Sequence, residues 1–435
     1  MPDHKNNVMN RSWVVFGAVL IQLSLGAIYA WSVFTPKLTQ TGWPKTQTQA
    51  VFSAGLAFFA IVMVLAGRML AKWGPRKLAI SGGIVLGLGY ILAGLFGGTS
   101  FPAVLFFVGV VGGSGIGLAY VVPIAVGMRW FPDKKGLITG LAVAGFGFGA
   151  MLWVKLAGEW GHLLDRLGLS TTFLIYGIVF AATVVLGGVW MVFPPEGWKP
   201  EGYTPPEAKA GAAPAVGAVN FTSREMLRTP QFYMILLTFA FGASAGLMSI
   251  GLMKLFPMEA LAARGMDAAS ASAVAGTAMA IFFSLANGIG RIAWGAMSDR
   301  LGRKTSIVVM MATQGVAVIL FQWMAGTPAL LYLGATLIGF NFGGNFALFP
   351  TITADTFGTK FVGQNYPLVF LAYGIGGIFG PIMGGKLGDL GNFPLAFTIC
   401  GVLCLAAAGL VAMVRPALKE KEVTVARGAE VRPKA

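Results

Sequence analysis

Runs of about 20 mostly apolar residues recur along the chain, and no other feature narrows its possible folds as far. At about 1.5 Å per residue, a helix of that length covers roughly the 30 Å of a bilayer's hydrocarbon core. The runs lie near 13–35, 48–70, 78–97, 101–128, 136–160, 170–193, 230–256, 270–297, 305–325, 328–352, 363–388 and 392–414. That makes twelve predicted spans. Composition agrees: 56% of the 435 residues are hydrophobic and only 11% are charged, whereas soluble domains carry about 25% charged residues. The 62 glycines suit helices that approach closely in lipid. Met1 to Arg11 is polar and the first apolar run is long enough to stay in the bilayer, so the start reads as a retained span and not a cleaved leader. Cys400 and Cys404 lie four apart in an apolar run with no ligand cluster around them, and read as packing residues.

Basic residues sort the loops. Arg68, Lys72, Arg76 and Lys77 follow the second run, Arg129, Lys134 and Lys135 the fourth, and Arg300, Arg303 and Lys304 the eighth. Lys5 and Arg11 precede the first run, and Arg415, Lys419, Lys421, Arg427, Arg432 and Lys434 follow the last. Loops near 98–100 and 326–328 have no basic residue, although Lys37, Lys45 and Arg264 dilute the contrast. The positive-inside rule predicts a multi-pass protein of the inner, cytoplasmic membrane with both termini in the cytoplasm. Cytoplasmic loops beside anionic lipid then account for the net charge of +15 without a nucleic-acid partner.

PPEGWKPEGYTPPEAKAGAAPAVG, from Pro194 onward, is too rich in proline, glycine and charge to span, and it divides the runs six and six. TSREMLRTP at 222–230 predicts a short helix capped by Thr222 or Ser223. The halves repeat. GRMLAKWGPRK at 67–77 answers GAMSDRLGRK at 295–304, with Gly67, Gly74 and Arg76 matching Gly295, Gly302 and Lys304. WFPDKKG at 130–136 answers TFGTKFVG at 356–363 at a similar separation. The expected build is therefore all-α: a six-helix half over 1–193, a cytoplasmic linker over 194–228, a second six-helix half over 229–415 and a tail over 416–435. Duplicated halves of this kind enclose a site between them near the midplane.

One charge is out of place. Arg291 sits eight residues before Asp299, about 12 Å deeper along a helix, inside an otherwise apolar and glycine-rich run. An arginine at that depth costs about 2.5–3.5 kcal/mol on insertion scales. It is expected to face a cavity and meet an anion; the other reading is an arginine that snorkels or pairs with a neighbouring helix. Asn287, one turn earlier on the same face, can donate its amide to the same ligand. Tyr120 and Tyr29 offer phenols or simply pack, and Phe342 and Phe346, four apart on one face, either enclose a ligand or fill the core. Lys155 and Glu159, spaced i, i+4, are expected to pair, with a proton relay through Glu159 and His162 as the alternative. Lys254, Glu259, Lys386 and Asp389 fall near outer helix ends and are expected to be solvated. GGIFGPIMGG at 376–385 predicts a packing and hinge element in the eleventh span. The chain has no Walker loop, zinc pattern or serine-histidine-aspartate set. GIGLAY and GFGFG lie in apolar helices with no preceding strand, so neither an enzyme nor a cofactor is expected.

Gly295, Asp299, Arg300 and Gly302 complete a signature that resembles the loop motif of the major facilitator superfamily. The first copy departs from it, with Ala71 in the aspartate's place. QLSLGAIYAWSVF at 22–34, GIGLAY at 115–120, RWFPDKKGL at 129–137, NGIGR at 287–291, FNFGGNFALFP at 340–350 and QNYPLVFLAYGIGG at 364–377 are further similar to the oxalate/formate antiporter branch, which is related to the monocarboxylate transporters. The resemblance implies that Arg291 grips a carboxylate, for which a planar guanidinium is suited. It implies aromatic enclosure by Phe342 and Phe346, and gating by the Gly295–Gly302 motif. It places Asn287 where the animal monocarboxylate transporters carry an acid tied to the proton, and Tyr373 where oxalate-specific members carry a lysine. One cation balances one carboxylate, so the reading leans to lactate-, pyruvate- or formate-like cargo with a proton, against organic-anion exchange of the oxalate/formate type. A channel or a non-transporting sensor are the rival classes. A small carboxylate, a proton and membrane lipid are the expected partners of a chain expected to act as a monomer.

Overall fold

The computed structural model describes residues 9–131, 135–158, 160–195, 198–200, 220–358 and 361–414. Glu159, part of the linker and the tail therefore lie outside the described residues. Helices occupy the positions of all twelve predicted spans. Span 1 joins an α-helix, Ser12–Leu25, to a 3₁₀ stretch, Gly26–Val33, and a last turn, Thr35–Gln40. Span 2 is Lys45–Trp73 and span 3 is Pro75–Leu95. Span 4 runs through Phe101–Val104, a π-helical Leu105–Gly112 and Gly113–Trp130. Spans 5 and 6 are Lys135–Ala157 and Leu163–Gly188. Span 7 is Pro230–Leu252, and span 8 combines Ala268–Thr277, a π-helical Ala278–Phe283 and Ser284–Leu301. Spans 9 to 12 are Arg303–Met324, Pro328–Phe357, Val362–Asp389 and Phe393–Ala412.

Among the described residues, ten of these are long and apolar enough to cross a membrane by length and composition. Span 5 offers only a shorter apolar stretch, Val143–Ala157, and span 10 is diluted at its middle by the buried Asn341 and Asn345. Outward-facing Trp13, Phe16 and Trp190 cluster at one rim, with the two indoles stacked 5.2 Å apart, as an interfacial aromatic belt requires.

Small residues set the helix spacing. A Cβ added at Gly87 would lie 2.7 Å from the Gly177 carbonyl oxygen, so spans 3 and 6 meet at backbone contact. Spans 2 and 11 meet where Leu56 and Ala60 fill the surfaces of Gly377 and Gly374, and spans 5 and 8 where Phe148 covers Gly288. The predicted packing element at 376–385 does pack: Gly376 and Gly380 abut the span 7 backbone at Ala240 and Ser244.

The internal repeat is visible in the backbone. Gly74 ends span 2 at φ 76°, ψ 161°, and Gly302 ends span 8 at φ 83°, ψ 148°. That region is open to glycine alone, which explains why both copies of the motif keep a glycine there. The linker's last turn, Ser223–Met226, is capped by Thr222 in a reciprocal capping box with Glu225.

Two charged side chains expected to be solvated are exposed and also carry partners. Glu259 and Asp389 are not simply solvated: Glu259 lies 2.6 Å from the Lys45 ammonium, and Asp389 accepts hydrogen bonds from the start of span 2. Lys155 is buried and reaches Thr277 of span 8 at 3.5 Å, while the pairing expected with Glu159 falls on a residue outside the described ones.

Candidate functional site

The site grows from the crossing of spans 8 and 10. A Cβ at Gly343 would sit 2.2 Å from the Asn287 carbonyl oxygen, and one at Gly290 2.1 Å from that of Phe340. Glycine at both positions lets the two backbones touch, and the Arg291 guanidinium packs over the Phe346 ring of span 10. Arg291 is 1% exposed. Its Nε donates to Asn287 Oδ1 at 3.0 Å, the one-turn pairing expected of i, i+4 neighbours. Among the described residues, its Nη1 and Nη2 have no hydrogen-bond partner, nor does Asn287 Nδ2.

A guanidinium has five N–H donors in one plane. With Nε held by Asn287, the outer edge formed by Nη1 and Nη2 is the part left to bind. Two parallel N–H donors on that edge have the geometry that matches the two oxygens of a planar acceptor.

Aromatic rings wall this edge. The guanidinium carbon lies 4.0 Å from the Phe346 ring centre and 5.7 Å from that of Phe146. Phe342 packs edge-on against Phe346 at 5.4 Å, and Tyr29 touches both Phe146 and Phe342. Tyr120 sits against Phe59, Phe146 and Phe370. The Tyr373 hydroxyl donates to that of Tyr29 at 3.0 Å, linking span 11 to span 1. Every one of these side chains is at most 3% exposed, so the site is closed to solvent on both sides.

The structure thus brings together Arg291, Asn287, Tyr29, Tyr120, Phe342, Phe346 and Tyr373. It adds Phe146, Phe370 and Phe59, which a sequence of this composition hides: one phenylalanine in an apolar run looks like any other. Only spacing gave a hint, since Phe370 precedes Tyr373 by three residues on one helical face. The residues of the loop motif lie elsewhere. Asp299 pairs with Arg303 at 2.6 Å, and Arg303 Nε lies 3.6 Å from Asp355 of span 10. Gly302 provides the turn, and Arg300 is exposed.

Irregular helix carries the polar groups. Tyr29 lies in the 3₁₀ part of span 1. A π-helical turn precedes Asn287 in span 8, where Ser284 Oγ donates to the Met279 carbonyl five residues back. Such departures mark hinges and functional positions in otherwise regular helices.

The chain matches the Major Facilitator Superfamily over residues 14–282 and again over 265–434, two stretches that together take in almost all of it. It belongs to that superfamily. Within it, the chain is 28% identical to the uncharacterized MFS-type transporter YhjX of Escherichia coli (strain K12), over 86% of this chain and 87% of the relative. It is 26% identical to the oxalate:formate antiporter of Oxalobacter formigenes, covering 93% and 91% of the two chains. With monocarboxylate transporter 13 of Bos taurus the identity is 24%, over 92% and 88%. The resemblance to the oxalate/formate and monocarboxylate branch therefore holds along nearly the full length of this major facilitator.

Proposed function

We propose that this major facilitator carries small monocarboxylates of the lactate, pyruvate and formate class across the inner membrane by alternating access, together with a proton. The observation that carries the reading is the outer edge of Arg291: two buried nitrogens that have no hydrogen-bond partner among the described residues, beside aromatic walls. A carboxylate bound end-on satisfies both at once. Asn287 Nδ2 and the hydroxyls of Tyr29 and Tyr120 supply further donors, and Phe342, Phe346 and Phe146 enclose the apolar remainder of the cargo.

Tyr373 supports a single-charge cargo. A neutral phenol occupies the place that oxalate-specific relatives give to a lysine, so the second carboxylate of a dianion meets no buried cation there. The two six-helix halves and the 194–228 linker suit rocking about this point, with both termini and the linker in the cytoplasm. The clasp of Asp299, with Gly295 and Gly302, holds the cytoplasmic ends together.

Anion exchange of the oxalate/formate type is the second reading. It is favoured by Asn287, an amide where a proton-linked acid is expected, and by the similarity to an antiporter. Uptake by proteoliposomes separates the two: a panel of lactate, pyruvate, formate and oxalate is offered with and without an imposed pH gradient. Monocarboxylate accumulation driven by external acid supports the first reading. Accumulation only against a preloaded anion supports the second.

A further inference from the structure

The closed end of the protein opposite the linker is held by an exchange of contacts between two helix termini. Lys45 and Thr46 open span 2, and their backbone N–H groups donate to Asp389 Oδ1 and Oδ2 at 2.7 and 2.9 Å. The Thr46 hydroxyl donates to the same carboxylate. Asp389 is itself the last residue of span 11, so the end of one helix caps the start of another. Lys45 returns the contact. Its ammonium donates to the Gly388 carbonyl at 3.1 Å, pairs with Glu259 at 2.6 Å beyond span 7, and lies 4.8 Å from the Phe393 ring of span 12.

Each helix end thus receives the charge that its dipole favours, an anion at the N-terminus of span 2 and a cation at the C-terminus of span 11. A lone exposed ion pair contributes little; here a cap, a carbonyl contact and a pair share two side chains. All of them run from span 2 to spans 7, 11 and 12, which the sequence repeat assigns to opposite halves. One turn deeper, Gln49 is fully buried and donates to the Gly251 carbonyl at 3.2 Å.

We propose that Lys45, Glu259 and Asp389 form the outer gate, and that transport requires Asp389 to release the first turn of span 2 as Lys45 leaves the end of span 11. The inference rests on the alternating-access reading and its orientation for the word outer, but not on the identity of the cargo. Opening separates the halves above Gln49 and exposes that position from outside.

The test is a cysteine reporter, Gln49→Cys, labelled by a membrane-impermeant thiol reagent applied to the outer face of cells or oriented vesicles. The native Cys400 and Cys404 are buried and give little background. In the reporter background, Asp389→Ala and Lys45→Met are expected to raise the labelling rate about five-fold each, the size of a lost helix cap. Asp389→Asn keeps one acceptor oxygen for one of the two span 2 amides and turns a donor toward the other, so its labelling rate should fall between that of the reporter and that of Asp389→Ala. Lys37 and Asp165 form an ion pair of 2.9 Å near the same face but inside one half. Asp165→Ala should therefore leave labelling unchanged. The proposal is overturned if Asp389→Ala and Lys45→Met label at the reporter's rate, or if Asp165→Ala or Asp389→Asn raises it as much as Asp389→Ala does. None of these readings requires substrate, so failure of the cargo assignment leaves the test intact.

Discussion

Replacing Asn287 with aspartate puts a carboxylate 3.0 Å from Arg291 Nε, at a position with no solvent exposure. In the wild type an empty carrier must reorient with the guanidinium buried and its outer edge unpaired, whereas a loaded carrier reorients with the charge compensated. Exchange should therefore outrun net uptake. At an effective dielectric of about 20, opposite charges about 3 Å apart attract by roughly 5.5 kcal/mol. Desolvating the new carboxylate takes back several kcal/mol. A net of about 1.4–2.8 kcal/mol corresponds to roughly a 10- to 100-fold gain for the empty form. The same carboxylate competes with the cargo for Arg291, so apparent affinity falls and uptake comes to depend more steeply on external acidity. The assay is the ratio of lactate exchange to net lactate uptake in proteoliposomes, for wild type and Asn287→Asp. A high wild-type ratio that drops at least several-fold in the variant is expected. A ratio near one in the wild type, unchanged by the substitution, refutes the reasoning.

Three further outcomes follow from the same geometry. Lactate and pyruvate should compete better than oxalate in the wild type, and Tyr373→Lys should shift preference toward dicarboxylates by about ten-fold, because one well-placed buried pair decides a few kcal/mol; oxalate preferred by the wild type would contradict the charge count. Asp299→Asn should slow flux more than Ala71→Ser or Ala71→Asn, since only the second copy of the motif has the Asp299–Arg303–Asp355 chain; equal losses would show that the clasp is not the reason. Gly343→Val should lower thermal stability by about 1–3 kcal/mol or prevent folding, because a Cβ there lies 2.2 Å from the Asn287 carbonyl oxygen; a stable, active variant would show that spans 8 and 10 need not touch.

The fold was legible because lipid imposes a length and a composition on every span, and both survive in the sequence. Arg291 and Asn287 were legible for a related reason: a buried charge in an apolar run stands out, and i, i+4 neighbours share a face. Tyr29 and Tyr120 read from the residues as phenols that bind or pack, Phe342 and Phe346 share a face by spacing, and only Tyr373 and the enclosing role of the two phenylalanines come from resemblance. The structure gathers all five near the same guanidinium. Phe146 and Phe370 carried no signal because aromatic packing residues are common in such helices. The helix-end exchange of Lys45 and Asp389 joins residues 344 apart, and no local pattern encodes a pairing at that range. From sequence Asp389 reads as a solvated charge at a helix end, and Lys45 only as a basic residue that dilutes the positive-inside contrast. Likewise, no local pattern in the sequence marks the 3₁₀ stretch around Tyr29 or the π-turn before Asn287.

Binding of lactate to purified protein, measured by calorimetry for wild type, Arg291→Ala and Arg291→Lys, tests the central assignment most directly. The account predicts no detectable binding to Arg291→Ala, although that variant remains folded. For Arg291→Lys it predicts a loss of at least about ten-fold, since an ammonium cannot present two parallel donors to one carboxylate. A folded Arg291→Ala that binds lactate with near wild-type affinity would contradict it.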